Sequence, residues 1–216
     1  MVGCVGIVAA SFDPPGVAAA ETVAAADVVA GVKAAYKDVQ SIRADFTQVR
    51  RDAITKAEDK QRGKLSLKRP RKMRFEFTHP KPSLFVTDGQ TLWIYNPEIK
   101  QVIEQPDLGG GGGMGVLLDD LSRLDEMFIV TLLPEEKGPR PDYVLDLVAR
   151  QPSAFKSLQL TLSKQKFLLQ DLVLTDSMNN VTELHFSSVR LNSDVADSEF
   201  TFVAPPGSQV VKAGGP

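Results

Sequence analysis

The chain has 216 residues, of which 43% are hydrophobic and 24% charged, with a formal net charge of −2. That length suits one domain with its own core, and the balance of residue types excludes bulk disorder. The single cysteine, Cys4, excludes an intramolecular disulfide, and no apolar run reaches the ~18–20 residues of a membrane-spanning helix.

Val2–Ala10 is a short apolar run, and Ala18-Ala19-Ala20 offers a small-residue cleavage site before Glu21. This is similar to the end of a secretory signal, so residues 1–20 are expected to be a leader and 21–216 a single domain. The pattern is atypical, since no Lys or Arg precedes the run and Ser11–Pro15 interrupts it. A rival reading makes Cys4 a lipid-modified cysteine.

From Ala24 to Ser41 apolar residues recur at three- and four-residue steps (Val28, Val32, Ala35, Val39, Ile42), which predicts an amphipathic helix with Asp27 as N-cap or with a start near Thr22. Arg43–Arg51 reads as a strand with Ala44 and Phe46 on one face, and polar Asp52–Lys60 as an exposed loop. Four short strands follow between Gln61 and Pro97. Leu65 and Leu67 alternate with Lys64, Ser66 and Lys68; Met73, Phe75 and Phe77 alternate with Lys72, Arg74, Glu76 and Thr78. Period-two alternation puts the apolar set on one face and the charges on the other. Arg69-Pro70-Arg71 and His79-Pro80-Lys81-Pro82 break the run, and Asp88-Gly89 turns a hairpin between Ser83–Thr87 and Thr91–Tyr95. Eight basic residues from Lys60 to Arg74 fall within fifteen positions that hold no acid.

Glu98–Gln105 is another predicted strand, with Ile99 and Ile103 among polar residues. Leu108–Gly115 is a glycine tract followed by no Lys-Ser or Lys-Thr, so it reads as a flexible joint and not as a phosphate loop. Val116–Phe128 places Val116, Leu117, Leu121, Leu124 and Phe128 on one helical face. After a charged turn at Pro134–Pro141, strands are expected at Asp142–Arg150, Ser157–Ser163, Phe167–Thr175 and Val181–Arg190. Their apolar rows are Leu158-Leu160-Leu162, Leu168-Leu172-Leu174 and Leu184-Phe186. A last short strand ends Asp194–Phe202, and Val203–Pro216 reads as a tail.

Groups suited to catalysis are sparse. His185 lies two residues from Glu183 on one strand face, where the two can meet, and His79 precedes a proline. No spacing supplies the three or four ligands of a zinc site, and Gly-x-Ser-x-Gly is absent. The chain is therefore not expected to be an enzyme, and no cofactor is expected. What it has in excess is apolar sheet surface, with two or three modest helices to cover it. Periodicity alone fits either a fully packed core or a lidded hydrophobic cavity. A nucleic-acid surface fits poorly, because alternation sets Phe75 and Phe77 opposite Lys72 and Arg74, whereas a stacking platform needs both on one exposed face.

Lys68-Arg69-Pro70 at a strand end, a following strand of alternating aromatics, and the hairpin Leu84–Pro97 resemble the periplasmic outer-membrane lipoprotein carrier (LolA) family. Phe200–Gly207 resembles that family's closing strand, and element order agrees from roughly Asp27 to Val211. The resemblance implies an α+β fold: a strongly curved antiparallel sheet, an open half-barrel of about ten strands, covered by two or three helices acting as a lid. It implies a periplasmic carrier whose hydrophobic cavity takes the acyl chains of lipoproteins. These would come from an inner-membrane lipoprotein-releasing ABC transporter and pass to an outer-membrane lipoprotein acceptor, the carrier being a monomer without nucleic-acid partners. The cavity wall would comprise Phe46, Leu65, Leu67, Met73, Phe75, Phe77, Leu84, Val86, Leu92 and Ile94. By the same resemblance Arg69 reaches backbone carbonyls of the lid and helps cargo transfer. Arg71, Lys72 and Arg74 match no family role and would face anionic headgroups or an acidic partner. A lipid-sensing regulator or a membrane-anchored acceptor of the same fold is the alternative.

Overall fold

The computed structural model describes residues 23–107, 118, 121–134, 142–153 and 155–213. The expected leader, Cys4, the glycine tract and most of the Pro134–Pro141 turn lie outside the described residues. Helix α1 spans Ala25–Tyr36. The strands are β1 (Ser41–Arg51), β2 (Glu58–Lys68), β3 (Lys72–His79), β4 (Ser83–Thr87), β5 (Thr91–Asn96) and β6 (Gln101–Pro106). They continue with β7 (Phe128–Leu132), β8 (Asp142–Ala149), β9 (Phe155–Ser163), β10 (Leu169–Asp176), β11 (Val181–Leu191) and β12 (Gln209–Lys212). Between β6 and β7 a 3₁₀ turn, Leu121–Arg123, runs into the one-turn helix α2, Leu124–Met127. All twelve strands form one strongly curved, unclosed sheet in the order β12-β6-β5-β4-β3-β2-β1-β11-β10-β9-β8-β7. Neighbours are antiparallel except β12, which runs parallel to β6. The fold class expected from sequence is the one observed.

The core lies between the concave face and α1. Val28, Val32 and Tyr36 of the helix join Phe46, Leu65, Met73, Phe75, Leu145, Leu158, Leu160, Leu172 and Leu184 in one buried cluster. Where β1 meets β11 the register shifts: Arg43 pairs Arg190 but Asp45 pairs Ser187, a bulge at which Ser188 takes a φ of 53°. On the other flank of β1, Phe46 stands opposite Gly63 of β2. The missing side chain there admits the Phe46 ring, which meets Phe75 and Phe77 edge-on at centroid distances of 5.2 and 5.1 Å.

Several predicted boundaries shift for local reasons. Helix α1 stops at Tyr36, so Val39 and Ile42 lie beyond it, and Ile42 falls in the first strand. Asp27 is not the N-cap residue: that position is Ala24, whose N–H donates to the Asp27 carboxylate at 3.3 Å. The loop after β1 is shorter than expected, because the Asp52 carboxylate accepts from Ile54 N–H at 3.0 Å and Thr55 N–H at 2.8 Å, and β2 starts at Glu58. Ile99 falls in a turn and is 64% exposed, since β6 starts at Gln101. Phe128 is not helical but opens β7, a strand missed because its run FIVTL lacks clean alternation. Phe167 precedes β10 in a left-handed turn (φ 53°), and Leu169, with a register shift after it, takes the inward place expected of Leu168. The segment expected to end in a strand at Phe202 instead forms a 3₁₀ turn, Asp197–Phe200, and the expected tail supplies β12.

A Cβ on Gly63 would lie 2.1 Å from the Glu76 carbonyl oxygen and 2.8 Å from Phe46 Cζ. Backbone cannot yield as a flexible side chain does, so Gly63→Ala is expected to destabilise the fold by about 1–3 kcal/mol. Denaturant unfolding with an unchanged m-value would show it as a lower midpoint.

Candidate functional site

The end of α1 is where helix and sheet are fastened together. Tyr36 is 2% exposed, and its phenol oxygen accepts the Leu169 N–H of β10 at 3.0 Å. Burial pushes the Tyr36 phenol pKa up, and the Leu169 N–H opposes part of that shift. From the other side, a guanidinium N–H of Arg69 donates to the Tyr36 carbonyl at 3.2 Å, and the Arg69 backbone N–H donates to the Gln40 carbonyl at 2.9 Å. The Tyr36 carbonyl is among the last four of the helix, which have no partner within it, so a cation there also meets the negative end of the helix dipole. Farther along α1, Lys33 Nζ reaches both Asp125 oxygens at 2.9 and 3.0 Å and ties α1 to α2. Lys33 holds the Asp125 carboxyl below its usual value.

Beneath this lid lies the concave face. Phe46, Leu65, Leu67, Met73, Phe75 and Phe77 share the core cluster. Pairing carries the face outward, from Phe75 to Phe85 to Ile94 and from Met73 to Thr87 to Leu92. Leu84 and Val86 do not join it. They pair with Glu76 and Arg74, which puts them on the convex face, and Phe85 is the inward residue of β4. The run Leu84-Phe85-Val86 is apolar on both faces, so alternation could not orient it; only the partner strand does. Phe85 packs on Phe77 at a centroid distance of 5.7 Å. Between lid and sheet, Tyr36, Ile42, Leu65, Leu67, Leu118 and Leu121 line a cavity of about 20 Å³, room for about one water molecule. The space is apolar and narrow.

The convex face departs most from the sequence reading. The chain's own acidic segment, Asp194–Glu199, is clasped by Arg43 of β1 and by Lys68, Lys72 and Arg74 of the basic run. Arg43 reaches Glu199 at 2.6 Å, Lys68 and Lys72 reach Asp197 at 2.9 and 3.0 Å, and Arg74 donates to the Glu199 carbonyl at 3.3 Å. Under the clasp Val195 and Phe200 bury themselves against Val86, with Leu84, Trp93 and Phe202 packed around them. Trp93 and Tyr95 are therefore outward, at 6.2 and 5.8 Å from the Phe202 ring. Lys72 and Arg74 do not present a free cationic surface. Asp197, the partner of Lys72, and the Glu199 carbonyl that Arg74 reaches lie 125 residues away in sequence, where no local pattern connects them, and Arg74 also pairs with nearby Glu76 at 3.2 Å.

Glu183 and His185, which alternation sets on one strand face, each have a separate partner. His185 Nδ1 is 2.6 Å from Asp171, and Glu183 pairs with Arg51. Among the described residues no group of three or more His, Cys, Asp or Glu is placed to hold a metal, and no helix is long and apolar enough to cross a membrane.

Residues 37–203 match the family model described as outer membrane lipoprotein carrier protein LolA. The outer-membrane lipoprotein carrier protein of Methylobacillus flagellatus is 30% identical over 187 residues, covering 86% of this chain and 89% of that protein. The protein of that description from Hahella chejuensis is 29% identical over 197 residues, covering 90% and 92%. Among solved structures, an uncharacterized conserved protein from Thermus thermophilus superposes with a TM-score of 0.56 at 15% identity, covering 88% of this chain and 99% of that one. That likeness is one of fold.

Hydrogen bonds from Lys68 and Lys72 hold the Asp197 carboxyl below the usual carboxylate range. A carboxylate with a lowered folded pKa stabilises the clasp above its unfolded pKa, and that contribution is lost as pH falls through the folded value. Trp93, the single tryptophan, lies against the clasped segment and reports its release. Acid titration is expected to change Trp93 emission below the usual carboxylate range. In Asp197→Asn the clasp is weaker already at neutral pH, and the acid step attributable to this group disappears.

Proposed function

The chain belongs to the outer-membrane lipoprotein carrier (LolA) family, and from that membership we propose that it is a periplasmic carrier of acylated lipoproteins. Its concave face holds the acyl chains, taken from an inner-membrane lipoprotein-releasing transporter and handed to an outer-membrane acceptor. The carriers of this family are not enzymes, and the work asked of the fold is reversible burial of hydrocarbon. Residues 21–216 act as a single carrier domain, with residues 1–20 as its export leader.

The observation that supports the reading is the fastening of α1 over a narrow apolar cavity by Arg69 and Tyr36. Each acyl methylene buried stabilises the complex by about 0.8 kcal/mol without directional contacts, so a long chain binds an apolar wall whatever protein it is attached to. The resting cavity has no room for such a chain, so loading displaces α1 and the Leu118 and Leu121 side chains. Cargo and closure then compete for one space. Phe46, Leu65, Leu67, Met73, Phe75, Phe77, Leu92 and Ile94, with Phe85, are the wall exposed to cargo. Arg69 stabilises the closed state, and closing drives release.

A charge-assisted hydrogen bond contributes about 1.5–3 kcal/mol. Without it the closed state is poorer by that amount, and cargo is held roughly 10- to 100-fold more tightly. Native mass spectrometry with a purified triacylated lipoprotein is expected to show a one-to-one complex for the wild type and for Arg69→Leu. Transfer to acceptor-bearing vesicles is expected to proceed for the wild type and stall for the variant. Absence of any complex, with apolar dyes also excluded, would leave an ordinary packed core and sink the carrier reading.

A further inference from the structure

Arg71 has no part in the site as described so far, yet it is held more elaborately than a surface arginine needs. Its backbone is in the left-handed region, with a φ of 62°, a conformation disfavoured for side chains other than Gly, Asn and Asp. A guanidinium N–H donates to the Asp107 carbonyl at 2.7 Å, and Nη2 lies 3.9 Å from Asp107 Oδ2. Asp107 is itself fixed at the end of β6. Its side chain is 1% exposed, its carboxylate accepts the Thr87 hydroxyl at 2.8 Å, and its N–H donates to the Gln90 carbonyl at 2.8 Å. Thr87 Oγ1 in turn accepts the Gly89 N–H at 3.0 Å. Gly89 has a φ of 95°, and a Cβ on it would meet Arg71 Cβ at 3.3 Å, so the two turns rest directly on each other. The β2–β3 turn, the β4–β5 turn and the end of β6 are thus interlocked through Arg71 and Asp107.

The same β2–β3 turn carries Arg69, separated from Arg71 by one proline whose ring restricts the backbone. We propose that Arg71 is a positioning residue for the Arg69 contact. Anchored on Asp107, it holds the turn in the left-handed conformation that aims the Arg69 guanidinium at the Tyr36 carbonyl. The seat of α1 therefore depends on the end of β6, and closure of the lid is coupled to the β4–β6 side of the sheet. For cargo transfer the inference rests on the carrier reading; for the geometry of Arg69 it does not.

Arg71→Asn separates the two contributions, because asparagine tolerates the left-handed backbone but lacks the guanidinium. Arg71→Lys retains a cation able to reach the Asp107 carbonyl. The first readout is ¹⁵N–¹H spectroscopy of the Arg69 side chain with hydrogen exchange at the Arg69 amide, alongside the unfolding midpoint. Arg71→Asn is expected to speed exchange at Arg69 several-fold and to disperse its side-chain signal, with Arg71→Lys restoring much of both and the midpoint moving little. Unchanged Arg69 signals in Arg71→Asn would overturn the proposal. So would loss limited to a lowered midpoint without change at Arg69.

The second readout is vesicle transfer by Arg69→Leu, Arg71→Asn and the double variant. Acting through Arg69, Arg71→Asn is expected to retain cargo as Arg69→Leu does but less strongly, with the double variant no worse than Arg69→Leu alone. Additive effects would overturn the positioning role. If Arg69→Leu itself transfers normally, the carrier latch fails, and the spectroscopic result still decides whether Arg71 positions Arg69.

Discussion

The structure depends on how one face of a twelve-stranded sheet is covered. Among the described residues a helix of three turns and the short Leu121–Met127 stretch are set against a concave surface that runs from Ile94 on β5 to Leu145 on β8. Hydrophobic burial is non-directional and does not by itself fix where a helix lies. Among the described residues directional contacts stand at two places: Tyr36 meets the sheet through its phenol and the β2–β3 turn through its carbonyl, while Asp125 pairs with Lys33 of α1 and its carbonyl accepts from Arg150 just past β8. A cover held by burial in general and by polar contacts at these two places is suited to being displaced and reseated.

Residue pattern carried much of this architecture and stopped at identifiable places. Alternation between Leu65 and Phe77 pointed those side chains correctly because their opposite neighbours are charged. It failed at Leu84-Phe85-Val86, where the convex face is also buried and both sets of side chains are apolar. A hairpin neighbour, Phe75 opposite Phe85, holds the information that the strand's own sequence lacks. The same limit hid Phe128–Leu132, a short edge strand whose first residue reads as the end of a helix and whose run lacks clean alternation. The site was legible in its types and not in its pairings. Arg69 before proline was visible; its acceptor, thirty-three residues upstream, was not.

The convex side shows how charge runs mislead. The basic stretch from Lys60 to Arg74 invites an external anion, yet its Lys68, Lys72 and Arg74 face a carboxylate-bearing segment of the same chain, joined there by Arg43 of β1. The clasp keeps Val195 and Phe200 buried on the outside of β4. The closing segment thereby stiffens the part of the sheet whose inner face carries Phe77 and Phe85, while leaving that inner face unobstructed.

The two ends of the sheet, β12 and β7, never meet. A closed barrel of given strand number and shear has a set bore, and widening it requires ladder bonds to break. An unclosed sheet obeys no such closure condition. Its girth can change by small increments of twist spread over eleven strand junctions, each ladder staying intact, so capacity becomes a matter of degree. On the carrier role proposed above, hydrocarbon of differing bulk would be accommodated by flattening the arc, and the sheet's own elastic return would add to whatever draws the helix home.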